Sequence, residues 1–315
     1  MKRLLPKIVL YGILMLVFFE VLVRVFHLYD DRPIRYTDEK GILKWIPGQT
    51  GYSVHGNRRQ NFAEYHINNS GFNSFREFEP SADKLELAII GDSFIEGFHQ
   101  DYTNSLGKKI ENQLQGVEVY EYGHSSNDFA DAMHLIESYK QDFGKIDKIV
   151  IYLDYEGDLD RAEYKYVERK LTLPFLNYSK LYVYAKMIGL FDPVKNMAKN
   201  LITLKFLKKD TKKEDHLERP DTFPIRAGNF ESVIEKYGFD RKKMIFLLNS
   251  DQTDERFVSY LKSQNYDYMD YANVFKESRE PTTLIYDQHW NNNGRELLAK
   301  LISERLALEG FAVKK

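Results

Sequence analysis

Two short segments hold the residue types needed to attack an ester. Gly91-Asp92-Ser93 follows the apolar run Leu85 to Ile90, which has the length of a buried strand, and Gly91 lets the chain turn at its carboxyl end. The carboxyl edge of such a strand is where open α/β sheets bind ligands. A serine there lies beside the first free N–H groups of the next helix, whose positive end stabilises a developing oxyanion. An Asp/Ser pair at that point also reads as an ordinary helix cap. Nearly two hundred residues later, Asp287-Gln288-His289 places an acid two residues from a base. A neutral serine needs a base to take its proton, and that base needs a carboxylate to fix its tautomer and stabilise its cation. Ser93, His289 and Asp287 supply the three parts.

The elements that must carry these groups alternate. Val117 to Gly123, Lys148 to Leu153, Met244 to Leu248 and Tyr266 to Tyr271 read as further buried strands. Asp128 to Tyr139, Glu231 to Tyr237, Glu255 to Gln264 and Glu296 to Leu308 read as helices between or after them. Five strands with intervening helices imply an α/β fold: a three-layer α/β/α sandwich on a mainly parallel, five-stranded sheet.

With Gly-Asp-Ser near the start of this domain and Asp-x-His near its end, the chain resembles the SGNH/GDSL hydrolase family, which has a flavodoxin-like sheet. The resemblance implies a Ser93–His289–Asp287 triad and an oxyanion hole built from the N–H groups of Ser93 and Gly123. Glu156-Gly157-Asp158 stands where the family carries Gly-x-Asn or Gly-Asn-Asp, so Gly157 occupies the place of an oxyanion-donating asparagine. Loss of one such donor costs about 100 to 1,000-fold in turnover. Asn127 is a candidate replacement, and a helix N-cap explains it equally.

The amino terminus carries a separate signal. Residues 1–7 are basic and read as a cytoplasmic tail, and residues 8–27 as the anchor, in which Ile8 to Phe26 is apolar apart from Glu20 and Arg24 and spans roughly 28 Å as a helix. Lys2, Arg3 and Lys7 before it and Asp30 and Asp31 after it orient a single-pass anchor in the cytoplasmic membrane, with the amino end inside and the catalytic domain periplasmic or extracellular. No small-residue cleavage site follows, which favours an uncleaved anchor over a signal peptide. Glu20 and Arg24, four apart, suit either a pair on one helix face or a dock for a partner helix. Residues 28–84 form a polar, aromatic leader expected to pack on the catalytic domain, which runs over 85–310. An insertion over 161–222 interrupts it, with a lysine-rich stretch over 195–213 that reads as a solvated face or as a surface for membrane or acidic glycan.

Composition removes several functions. The formal charge of −2 gives no field to draw nucleic acid, and the absence of cysteine excludes disulfide and thiol chemistry. No glycine-rich phosphate loop or clustered metal ligands appear, so neither cofactor nor metal is expected. Asp154, Glu156, Asp158 and Asp160 alternate without the glycine and late glutamate of a calcium loop. Histidines 27, 55, 66, 99, 124, 134 and 216 show no ligand spacing and read as surface or satisfied side chains.

The expectation is therefore a membrane-anchored serine esterase or O-acyltransferase acting on acyl esters, with O-acetyl groups of a surface or exported glycan as substrate by analogy with tethered family members. A multispanning membrane acyltransferase is the expected partner if the task is transfer. The other readings are a non-catalytic glycan-binding or assembly factor, and a lipase or lysophospholipase.

Overall fold

The computed structural model describes residues 4–55, 61–168, 178–193 and 221–315. The lysine-rich stretch of 195–213 lies outside them. The chain divides into two compact units, Met1–Arg32 with Leu171–Pro220, and Pro33–Lys170 with Asp221–Lys315.

In the first unit, α1 (Leu4–Val25) is long and apolar enough to cross a membrane, with a mean hydropathy of 2.4. Its acidic residue is used inside the chain. Glu20 accepts hydrogen bonds from the backbone N–H groups of Lys180 and Leu181 and from Ser179 Oγ, each at 2.9 Å, and from Arg24 Nε at 2.7 Å. Arg24 also donates to the Tyr178 carbonyl at 2.5 Å. A carboxylate thus sits on the positive end of the helix Lys180–Met187 and fills that helix's orphan donors. The helix that Glu20 and Arg24 hold is the chain's own.

The second unit begins with two antiparallel hairpins: β1 (Arg35–Thr37) with β2 (Leu43–Trp45), and β3 (Thr50–His55) with β4 (Asn61–His66). β5 (Leu85–Gly91) leads through the short α2 (Ser93–Glu96) and α3 (Leu106–Gln113) to β6 (Val117–Gly123). Then come α4 (Phe129–Ser138), α5 (Lys140–Lys145), β7 (Lys148–Tyr152) and α6 (Tyr155–Asp158). The helix Lys180–Met187 of the first unit is α7, and α8 (Phe223–Tyr237) resumes the second. It starts earlier than the expected Glu231, because Pro224 in its first turn suits a helix start. The chain closes through β8 (Met244–Leu248), α9 (Glu255–Ser263), β9 (Tyr268–Asp270), α10 (Ala272–Lys276) and α11 (Asn292–Leu308).

The sheet has the order β6-β5-β7-β8-β9, with every pair parallel. Side chains alternate across it. Ala88 and Ile90 point into one apolar layer with Phe129, Phe230 and Phe257, whereas Leu87 and Ile89 point into the other with Ile110, Leu298 and Ile302. Helices cover both faces, which is the three-layer sandwich expected from the strand pattern. The order reverses at β5, whose neighbours are β6 and β7, so a ligand crevice belongs outside the carboxyl ends of these strands.

Two contacts set the end of β5. A Cβ on Gly123 would stand 2.1 Å from Glu96 N and 2.3 Å from the Ile95 carbonyl carbon, so the backbone of α2 lies directly on the end of β6. Glu96, buried, accepts from Trp45 Nε1 at 3.0 Å and from Ser125 N at 2.9 Å, tying α2 to both the leader and the loop after β6. Gly123→Ala is therefore expected to lower unfolding free energy by about 2–3 kcal/mol, measured by urea denaturation, because backbone rather than a side-chain tip must move.

Candidate active site

Asp92 caps α2: its side chain accepts from Phe94 N at 2.9 Å. Capping thus falls to the aspartate, and the hydroxyl of Ser93, the first residue of the helix, is left for another partner. That partner is His289, whose Nε2 lies 2.9 Å from Ser93 Oγ. Asp287 stands on the other side of the imidazole, with its Oδ2 3.4 Å from His289 Nδ1. This is an ion-pair distance longer than a good hydrogen bond, and Nδ1 makes none. The structure brings Ser93, His289 and Asp287 together.

The loop that carries acid and base is held at both ends. Thr283 bridges Trp290, and Leu284 N donates to the His289 carbonyl at 2.7 Å. Gln288 takes a left-handed φ of 63°, and Asp287 Oδ1 accepts from His289 N at 3.1 Å, so the two side chains emerge from one tight turn. Trp290 is buried against Phe94 and Tyr152, and Asn291 caps α11 through Gly294 N. Phe94 covers the His289 ring at 4.6 Å between centroids. Burial holds His289 below the ordinary histidine range, against the opposing pull of Asp287. The ring is therefore neutral near pH 7 and able to accept a proton.

A cavity of about 430 Å³ opens at Asp92, lined also by Asn127, Asp128, Asp131, Asp158 and Gly157. Gly157, in α6, and Asn127 thus face one space. The N-cap of α4 is Asp128, in a capping box with Asp131, so capping does not account for Asn127. Asn127 is fixed instead by its N–H to the His124 carbonyl at 3.0 Å, next to Ser126 with a φ of 80°. A side chain at Gly157 would meet only the tip of Asp154, at 2.9 Å, so packing does not demand glycine there. Burial raises the Asp92 and Asp131 carboxyls to about 6, and Arg161 bridges Asp128 and Asp131 at 2.5 and 2.8 Å. Asp154 and Asp158 serve the local turn, Asp158 Oδ2 accepting from Asp154 N at 2.8 Å.

Sequence reasoning missed three side chains here. His99, read as a surface or satisfied histidine, places Nε2 2.9 Å from Asp287 Oδ2, and His55 stacks on it at 4.4 Å. Neither has a recognisable spacing to Asp287, since the contacts are made only when β3 and the loop after α2 meet the Thr283–Trp290 turn. Glu96 was equally silent, although a glutamate three residues after a Gly-Asp-Ser serine and facing a buried strand end is a signal in retrospect.

Glu96 has a measurable signature. Burial raises its carboxyl to about 7, against the opposing pull of Ser125, Arg35 and Trp45. Since the unfolded value is about 4.5, the stability gained from the buried neutral acid is complete below that pH and is lost as pH rises through about 7. Glu96→Gln keeps the acceptor and removes the titration. The variant should gain on wild type between about pH 5 and 8, by on the order of 3 kcal/mol, in urea unfolding across that range.

No family model and no curated protein matches the chain. Among solved structures it is similar to the lipase/acylhydrolase from Enterococcus faecalis, at 14% identity over 73% of this chain and 98% of that one, with a TM-score of 0.40. A member of the lipolytic protein G-D-S-L family from Veillonella parvula is 13% identical over 71% and 98%, with a TM-score of 0.38. The catalytic domain of peptidoglycan O-acetyltransferase A from Streptococcus pneumoniae is 13% identical over 74% and 98%, with a TM-score of 0.37.

Proposed function

We propose that this chain is a membrane-anchored SGNH-type serine esterase or O-acyltransferase. The observation that carries the reading is the 2.9 Å contact of His289 Nε2 with Ser93 Oγ, with Asp287 behind the ring. Ser93 Oγ attacks the acyl carbonyl while His289 takes its proton, and Asp287 stabilises the imidazolium. The N–H groups of Ser93 and Gly123 receive the oxyanion. Collapse expels the alcohol, which takes the proton from His289, and leaves an acyl-serine. Water then releases the acid, or a sugar hydroxyl takes the acyl group.

The cavity favours short acyl groups on polar substrates. Its wall sets Asp92, Asn127, Asp128, Asp131, Asp158 and Arg161 beside Leu43, Tyr164 and Val167, and its polar groups can meet the hydroxyls of a sugar. O-acetyl groups on a surface or exported glycan fit that wall. The α1 span, with Glu20 engaged by the chain's own α7, supports a retained anchor with the catalytic domain outside the cytoplasm. If the task is transfer, a multispanning acyltransferase supplies the acyl group. Gly157 favours a second reading, a glycan-binding factor that has lost the chemistry.

Labelling with a serine-directed fluorophosphonate decides between the two. The full chain in detergent should label, Ser93→Ala should not, and its hydrolysis of p-nitrophenyl acetate should fall at least about 1,000-fold. A folded wild type that neither labels nor hydrolyses sinks the enzymatic reading.

The missing donor gives a second test. With Asn127 as its replacement, Asn127→Ala should lower kcat about 100-fold with little change in KM, and Gly157→Asn in that background should recover about 10-fold or more. Steady-state kinetics on the same ester measure both.

A further inference from the structure

One oxygen of Asp287 serves two histidines. His99 Nε2 lies 2.9 Å from Oδ2, and His289 Nδ1 lies 3.4 Å from the same atom, so His99 is the closer partner. The two imidazoles stack, with centroids 3.9 Å apart and planes 15° from parallel. His55, whose Nε2 is 2.8 Å from Ser53 Oγ, stacks in turn on His99 at 4.4 Å and 24°. Near-parallel rings send their nitrogen lone pairs along separate planes. The trio of His99, Asp287 and His289 is therefore poorly arranged to converge on one metal ion and well arranged to share one carboxylate.

We propose that His99 is a positioning residue for the acyl-transfer reaction: it holds Asp287 and the His289 ring in line, and it divides the carboxylate's charge between two imidazoles. The inference rests on the triad reading of Ser93, His289 and Asp287. A neutral His99 donates its Nε2–H to Asp287, which fixes the carboxylate without neutralising it. Since that oxygen already accepts a short hydrogen bond, it stabilises the His289 imidazolium less than an undivided carboxylate would. The consequence is a base that stays unprotonated to lower pH. The stack also resists rotation of His289 away from Ser93, because the ring is covered by Phe94 as well as by His99. Close packing of His99 against His289 opposes charging both rings at once, so the two protonations are coupled.

Among the described residues, the charged and titratable groups that meet the stack include Asp287, His55, His289 and Arg295, whose charge reaches His289. All of these remain when His99 alone is changed, so a difference in pH profile reports the part His99 plays. His99→Phe keeps a stacking ring and removes the donor. His99→Gln keeps a donor and removes the ring's titration. With p-nitrophenyl acetate and the full chain in detergent, His99→Phe should lower kcat about 10-fold with KM within about 2-fold, and should move the acid limb of the kcat profile up by about one pH unit as Asp287 turns wholly to His289. His99→Gln should keep that limb within a few tenths of a unit of wild type. A role confined to folding would lower activity or melting temperature without moving the limb. The proposal is overturned if the limb of His99→Phe matches wild type, or if His99→Gln moves it as far as His99→Phe does; should His99→Phe not fold, His99→Leu, which also removes the donor, takes its place with the same upward shift expected and an unshifted limb overturning the proposal. Ser93→Ala, run alongside, separates the two readings. Turnover in it close to that of wild type discards the triad, whereas a Ser93→Ala reduced at least about 1,000-fold with unshifted His99 variants discards only the part given to His99.

Discussion

The backbone of α2 rests on Gly123, and the placing of Ser93 at the end of β5 depends on that approach. No atom larger than hydrogen fits between the end of β6 and the Ile95–Glu96 peptide. The contact brings the first turn of α2 and the Gly123 N–H to one edge of the sheet, so that backbone donors from the ends of two strands lie side by side. Glu96 then fastens the arrangement from beneath, with Trp45 from the leader and Ser125 from the following loop on one oxygen. The leader is thereby part of the site's support, and the burial of Trp45, Tyr65 and Ile67 shows that it packs as core. A buried carboxyl used as a clamp is stable only while neutral, so this support carries its own pH dependence.

Around that fixed point the site is divided between rigid and adjustable parts. Ser93 is set by the sheet and by Asp92, whereas His289 and Asp287 ride on a turn anchored by Trp290 and Asn291. The 3.4 Å separation of Asp287 from His289, beside its 2.9 Å contact with His99, describes a carboxylate not committed to one base.

The apolar helix α1 follows the same economy of polar groups. A glutamate within an apolar span is expensive unless its charge is met, and here a helix start and an arginine meet it within the chain. That pairing couples α1 to the segment beginning at Tyr178.

Much of the architecture was legible from local pattern. Five apolar runs gave five parallel strands, because a strand buried on both faces must be apolar throughout; Gly-Asp-Ser and Asp-x-His marked two loops at their carboxyl ends. The amino acid order also determined a helix able to span a bilayer, since hydropathy and length are local properties. Only the tertiary structure decided that Asp92 rather than Ser93 caps α2, that Asp128 relieves Asn127 of capping α4, and that Glu20 and Arg24 hold α7. It alone gave Asp287 a second histidine. The reason is physical: Ser93 and His289 meet across a separation of 196 residues, and His99 reaches Asp287 through a fold of comparable span. Residue type and spacing can nominate such partners, but which donor wins a shared carboxylate depends on tenths of an ångström that packing sets.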